Sequence, residues 1–71
     1  MYTDTLGFRL RKARRDSRTK KKEVASRCGV SEQTVWNWEH NAVVPSNAHL
    51  RMLSDALGLD FVELVVLALG K

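Results

Sequence analysis

Cysteine and proline each occur once in the 71 residues and glycine four times, and each scarcity excludes something. Cys28 alone cannot close an intrachain disulfide, and Cys28, His40 and His49 are too scattered for a zinc pattern. A disordered chain would be richer in breakers and poorer than 44% in apolar residues. The longest apolar run, Leu64 to Leu69, falls far short of the ~20 residues a membrane span requires. The N-terminus also lacks the apolar core of a secretory leader, so a cytoplasmic location is expected. There is no Gly-rich phosphate loop, no Ser–His–Asp or Cys–His arrangement, and the carboxylates are scattered. An enzyme is therefore not expected, and no cofactor or metal is implied.

What remains reads as one domain over residues 1–71. A chain this short buries only about 60% of its extended surface, and burial barely offsets the entropy of ordering. With disulfide and metal unavailable, association with a second copy is the remaining support.

The formal charge of +4 conceals an asymmetry. Residues 9–22 hold nine basic residues against Asp16, whereas 23–71 hold three basic against six acidic. Such a concentrated field suits a polyanion, either nucleic acid or an anionic membrane surface, although a solvated face that only aids solubility has the same composition. A membrane role is disfavoured, since the apolar stripe among these cations is narrow and is needed by the core.

Apolar residues recur at helical spacing throughout, with a cap or turn residue at every break, which predicts an all-α chain of five short helices. The first spans about Asp4 to Asp16, with Leu6, Leu10 and Ala13 inward. The second spans about Lys20 to Cys28, turns Val24, Ala25 and Cys28 inward and stops at Gly29. The third starts at Ser31, a good N-cap, and reaches about His40, with Asn41 suited to a left-handed stop. The fourth, capped by Ser46 or Asn47, turns Leu50, Leu53 and Leu57 inward and ends at Gly58. The fifth follows Asp60 and ends at Gly70.

Only Gly29-Val30-Ser31 separate the second and third helices, which forces a tight helix pair. A helix-turn-helix needs a small residue at the crossing, a turn residue four places later and apolar clamps on the second helix. Ala25, Gly29, Val30, Val35 and Trp38 supply these in order. On these residues, with Glu39 and Pro45 after them and Leu53, Ala56-Leu57-Gly58-Leu59 and Glu63-Leu64 beyond, the chain resembles the Cro and repressor family of phage and bacterial helix-turn-helix domains. The resemblance covers about residues 6–66 and implies a lambda-repressor-like fold that binds duplex DNA in a bacterial or phage-infected cell, associated with the nucleoid. The chain departs from the family at Thr19, Lys20 and Lys21, where Leu, Ser or Thr, and Gln are usual, and at Asn41, where Gly is common. The Gln-to-Lys change replaces a hydrogen-bonding amide with a longer cation.

Lys20, Lys21 and Lys22 at the start of a helix oppose its dipole at roughly 0.3–1 kcal/mol each. Helix N-termini attract anions, and a DNA phosphate would reverse all three repulsions. Surface lysines merely tolerated by solvent are the plainer alternative.

Stepping 100° per residue along the third helix sets Ser31, Val35 and Trp38 on one side and Gln33, Trp36, Asn37 and His40 opposite, with Glu32 at the flank. The outer side is expected in the major groove, where Gln33 and Asn37 suit adenine and Glu32 suits cytosine N4. The resemblance places Ser31, Glu32, Gln33 and Asn37 toward DNA, with Trp36 beside them. Trp36 would touch a thymine methyl or sugar, or else pack on neighbouring protein surface. Lys20, Lys21, Lys22, Ser31, His40, Asn41 and the loop before Pro45 would hold the backbone.

Glu39 falls on the inward side, where a lone carboxylate is costly. The resemblance supplies Arg14 as its partner. On the fifth helix, Phe61, Leu64, Val65 and Ala68 form a core stripe, and Val62, Val66 and Leu69 form a second at i, i+4 and i+7. The second stripe is expected at a two-fold dimer contact, or else under the first helix, with Leu6 or Phe8 filling the gap. Taken together, the residues point to a sequence-specific transcriptional regulator, a dimer on a palindromic operator. Repression by excluding polymerase fits the chain's size, and activation through a surface contact stays open. The rival reading is a protein-interaction module, such as a toxin-neutralising partner, that uses the fifth helix.

Overall fold

The computed structural model describes residues 5–70, and the helical segments lie where the turn and cap residues place them. They are α1 (Leu6–Asp16), α2 (Lys21–Cys28), α3 (Glu32–Glu39), α4 (Asn47–Leu57) and α5 (Phe61–Leu69). Among the described residues there is no strand.

Each start has a local cause. Side chains of Thr5, Ser31, Ser46 and Asp60 accept from Phe8, Thr34, His49 and Val62 N–H, satisfying donors the helix leaves open. Lys20, an ammonium without an acceptor, cannot do this for α2. There the Glu23 carboxylate reaches back and accepts from Lys20 N–H at 3.1 Å, which also sets a negative charge in the first turn beside the lysines. Two boundaries differ from the sequence reading. The first helix begins at Leu6 because Thr5 is its cap; Asp4 lies outside the described residues. Lys20 stands just outside α2, so only Lys21 and Lys22 occupy its first turn.

A left-handed residue follows each of α1 to α4, whereas α5 ends at Gly70 with φ −82°. Gly29 and Gly58 both have φ 68°, and Asn41 has φ 59°, a region where a β-carbon is disfavoured and Gly or Asn is favoured. Arg18, at φ 58°, makes the same turn after α1. At the α2–α3 turn, Val30 N–H donates to Ala25 carbonyl at 2.9 Å.

Leu6, Leu10, Val24, Ala25, Cys28, Val35, Trp38, Leu50, Leu53 and Leu64 form the core, drawn from all five helices. Burying each Leu or Val contributes roughly 1.5–3 kcal/mol. Leu57, Phe61, Val65 and Ala68 pack at its edge. α1 packs on α3, α4 and α5, and α2 on α3 and α4. The Cys28 thiol is pushed above its ordinary pKa by burial, which leaves it a small apolar filler rather than a reactive thiolate. No described helix is long and apolar enough to cross a membrane.

Candidate nucleic-acid interface

α3 has two unlike sides. Val35 and Trp38 are buried, while Glu32, Gln33, Trp36 and His40 are exposed and Asn37 is half-buried. Burial of one side fixes which residues the other side presents. Ser31, at the N-terminal end, spends its hydroxyl on the cap, accepting from Thr34 N–H at 3.2 Å and meeting Thr34 Oγ1 at 3.0 Å.

Gln33 and Asn37, one turn apart, are joined. Gln33 Nε2 donates to Asn37 Oδ1 at 3.1 Å. This leaves Gln33 Oε1 as an open acceptor and Asn37 Nδ2 as an open donor, side by side. Trp36, 42% exposed, is covered on one face by His40, whose ring stacks on it at 3.8 Å and 15°. The Trp36 carbonyl accepts from His40 Nδ1 at 2.8 Å, so Nε2 is the free ring nitrogen. The stack covers part of a large aromatic that stays at the surface. Trp38, by contrast, lies inside against His49, with ring centres 5.2 Å apart.

The start of α1 meets the end of α3 at a close joint. Asn41 Oδ1 accepts from Gly7 N–H at 3.0 Å, and Asn41 Nδ2 donates to Thr5 Oγ1 at 3.1 Å. Asn41, exposed and a candidate for the DNA backbone, also caps the start of another helix with its amide, at 34 residues' separation. Arg14 and Glu39 lie together, Nε to Oε2 at 2.6 Å and Nη2 to Oε1 at 3.2 Å. Arg14 Nη1 also donates to the Thr19 carbonyl at 3.1 Å. The pair is largely dry, with side chains 13% and 3% exposed.

Lys20 and Lys22 are exposed and Lys21 is half-buried at the start of α2, and none has an ion pair among the described residues. On the far side, Val62, Val66 and Leu69 are 64%, 60% and 80% exposed. The alternative cover for them fails among the described residues: Leu6 is in the core, and Phe8 is half-exposed beside Leu57 and Leu59.

Sequence reasoning missed several contacts. Arg9 bridges Glu63 through two hydrogen bonds, at 2.6 and 3.0 Å, fastening α1 to α5. Gly7 was passed over, although a Gly inside a helix is itself a signal of close approach. No group of three described His, Cys, Asp or Glu residues could hold a metal ion.

Residues 5–67 match the family model described as a helix-turn-helix domain. No curated protein matches significantly. Among solved structures, the DNA-binding domain of the P22 c2 repressor, residues 1–76 in solution, is 28% identical with a TM-score of 0.83. The match covers 94% of this chain and 91% of that one. Sequence and fold thus agree, and the chain belongs to the helix-turn-helix domain family, with the five-helix architecture of a phage repressor's DNA-binding domain.

Proposed function

We propose that this chain is a non-enzymatic, sequence-specific double-stranded DNA-binding regulator of transcription that acts by occupying an operator. One observation carries the reading: α3 buries Val35 and Trp38 and leaves its polar side open to solvent, beside cations that have no partner within the described chain. A helix held from behind, with donors and acceptors facing outward, suits a major groove.

In this reading the joined amides act as one unit. Gln33 Oε1 accepts from adenine N6 and Asn37 Nδ2 donates to N7, while Glu32 accepts from cytosine N4. Trp36 meets a thymine methyl or a sugar with the part that His40 leaves open. Lys20, Lys21, Lys22, Ser31, His40 and Asn41 hold the DNA backbone. Such contacts position the protein without reading sequence. A two-fold pair of chains joined through Val62, Val66 and Leu69 sets two α3 helices in adjacent grooves about 34 Å apart, and their exposure supports this contact. The site of action is the bacterial or phage-infected cell's cytoplasm.

Selection of bound fragments from random duplex DNA tests the reading. Related half-sites in inverted order are the expected result, and recovery of unrelated sequences at equal affinity would overturn it. On the selected site, Gln33→Ala is expected to lose ~1–3 kcal/mol and to relax preference at one base pair. Equal weakening on every sequence would make Gln33 a backbone contact instead. Lys21→Ala should weaken all duplexes alike and reduce the salt slope by about one, read from anisotropy titrations at several salt concentrations.

A further inference from the structure

The cations of α1 divide into paired and unpaired, and the division follows direction. Arg9 faces α5 and bridges Glu63, Arg14 faces α3 and bridges Glu39, and Lys12 meets Asp16 at 3.1 Å. The side chains of Arg11 and Arg15 are exposed and make no ion pair or hydrogen bond among the described residues. They are four residues apart, a spacing that puts like charges side by side on a helix, where they repel. No ion pair among the described residues offsets that repulsion; a row of anions would.

Both line one concave surface, together with Lys21, Trp36, His40 and the Arg14–Glu39 pair. Glu39 cancels the charge of Arg14, so the uncompensated cations of this cleft are Arg11, Arg15 and Lys21. Trp36 belongs both to the cleft and to the outer side of α3, so the cleft continues that side toward α1. Guanidinium forks match phosphate oxygens in pairs.

We propose that this cleft is a track for the DNA phosphate backbone, along which Arg11 and Arg15 grip phosphates flanking the base pairs met by α3. The inference rests on the DNA-binding reading above and extends it to a helix that reading leaves out of the interface. It assigns the two arginines to affinity and salt dependence, not to base selection.

Arg11→Ala/Arg15→Ala removes two exposed, unpaired side chains, so its melting midpoint should stay near the parent's. On the selected site, the slope of log affinity against log salt is expected to become shallower by about two per protomer, with base preference unchanged. The affinity lost between ~50 and ~200 mM salt then shrinks about tenfold per protomer. The parent chain on a duplex carrying methylphosphonates in the base pairs flanking the site should show the same change, and the variant on that duplex no further one. Lys12→Ala, whose cation is already paired, should leave the slope as it is. An unchanged slope in the double variant with selectivity intact overturns the flanking track alone, as does an equal loss on charged and neutral flanks. A parent chain that binds no duplex overturns both the track and the reading beneath it.

Discussion

Arg14→Ala is expected to remove about 3–5 kcal/mol of folding stability, a large share of the ~4–11 kcal/mol typical for this length. The melting midpoint should fall by ~12 °C or more, as read by circular dichroism. The size of the effect comes from what is left behind. Both Glu39 oxygens accept from Arg14, at 2.6 and 3.2 Å, and the Glu39 side chain is almost wholly shielded from water. Truncation strands a carboxylate where solvent cannot reach it and deprives the Thr19 carbonyl of its donor. Replacing both partners with apolar residues of similar volume should recover most of the loss, because the desolvation of two charges disappears with them. A single variant that melts within ~4 °C of the parent would show that the pair does not secure α1 to α3.

Gly7→Ala is the second large effect, and its sign is the informative part. In an exposed helix interior the change would be stabilising by roughly 1 kcal/mol through propensity. Here a β-carbon would sit 2.5 Å from the Glu39 carbonyl oxygen and 2.8 Å from Asn41 Oδ1. The first neighbour is backbone at a helix end and cannot swing aside, so α1 must lift away from α3. That movement strains the Gly7 N–H bond to Asn41 and the Arg14–Glu39 pair on the same interface. The expected net loss is about 3 kcal/mol, at the upper end of overpacking costs, in urea denaturation with an unchanged m-value. A gain in stability would mean that the joint is loose enough to absorb a methyl group.

These two residues mark where sequence reasoning reaches and where it stops. Helix caps act over three or four residues, so Ser31, Ser46, Asp60 and the left-handed stops at Gly29, Asn41 and Gly58 were legible from local chemistry. Arg14 was placed opposite Glu39 through family resemblance; the inward position of Glu39 said only that it needed a partner. No local rule reveals that Asn41 caps α1 or that Arg9 meets Glu63 at 54 residues' separation, since those contacts exist only once helices are docked. The outer side of α3 was legible as a side, because its opposite face is apolar. The coupling of Gln33 to Asn37 was within reach of the i, i+4 rule, as was the role of Glu23 in starting α2.

Trp36 and Trp38 stand two positions apart on α3 in opposite surroundings, one stacked on His40 at the surface and the other buried beside His49. The molecule therefore carries two native fluorophores with separable meaning. Emission from Trp38 follows loss of the interior, and emission from Trp36 follows whatever arrives at the open side, so one unlabelled chain reports melting and occupancy through different indoles.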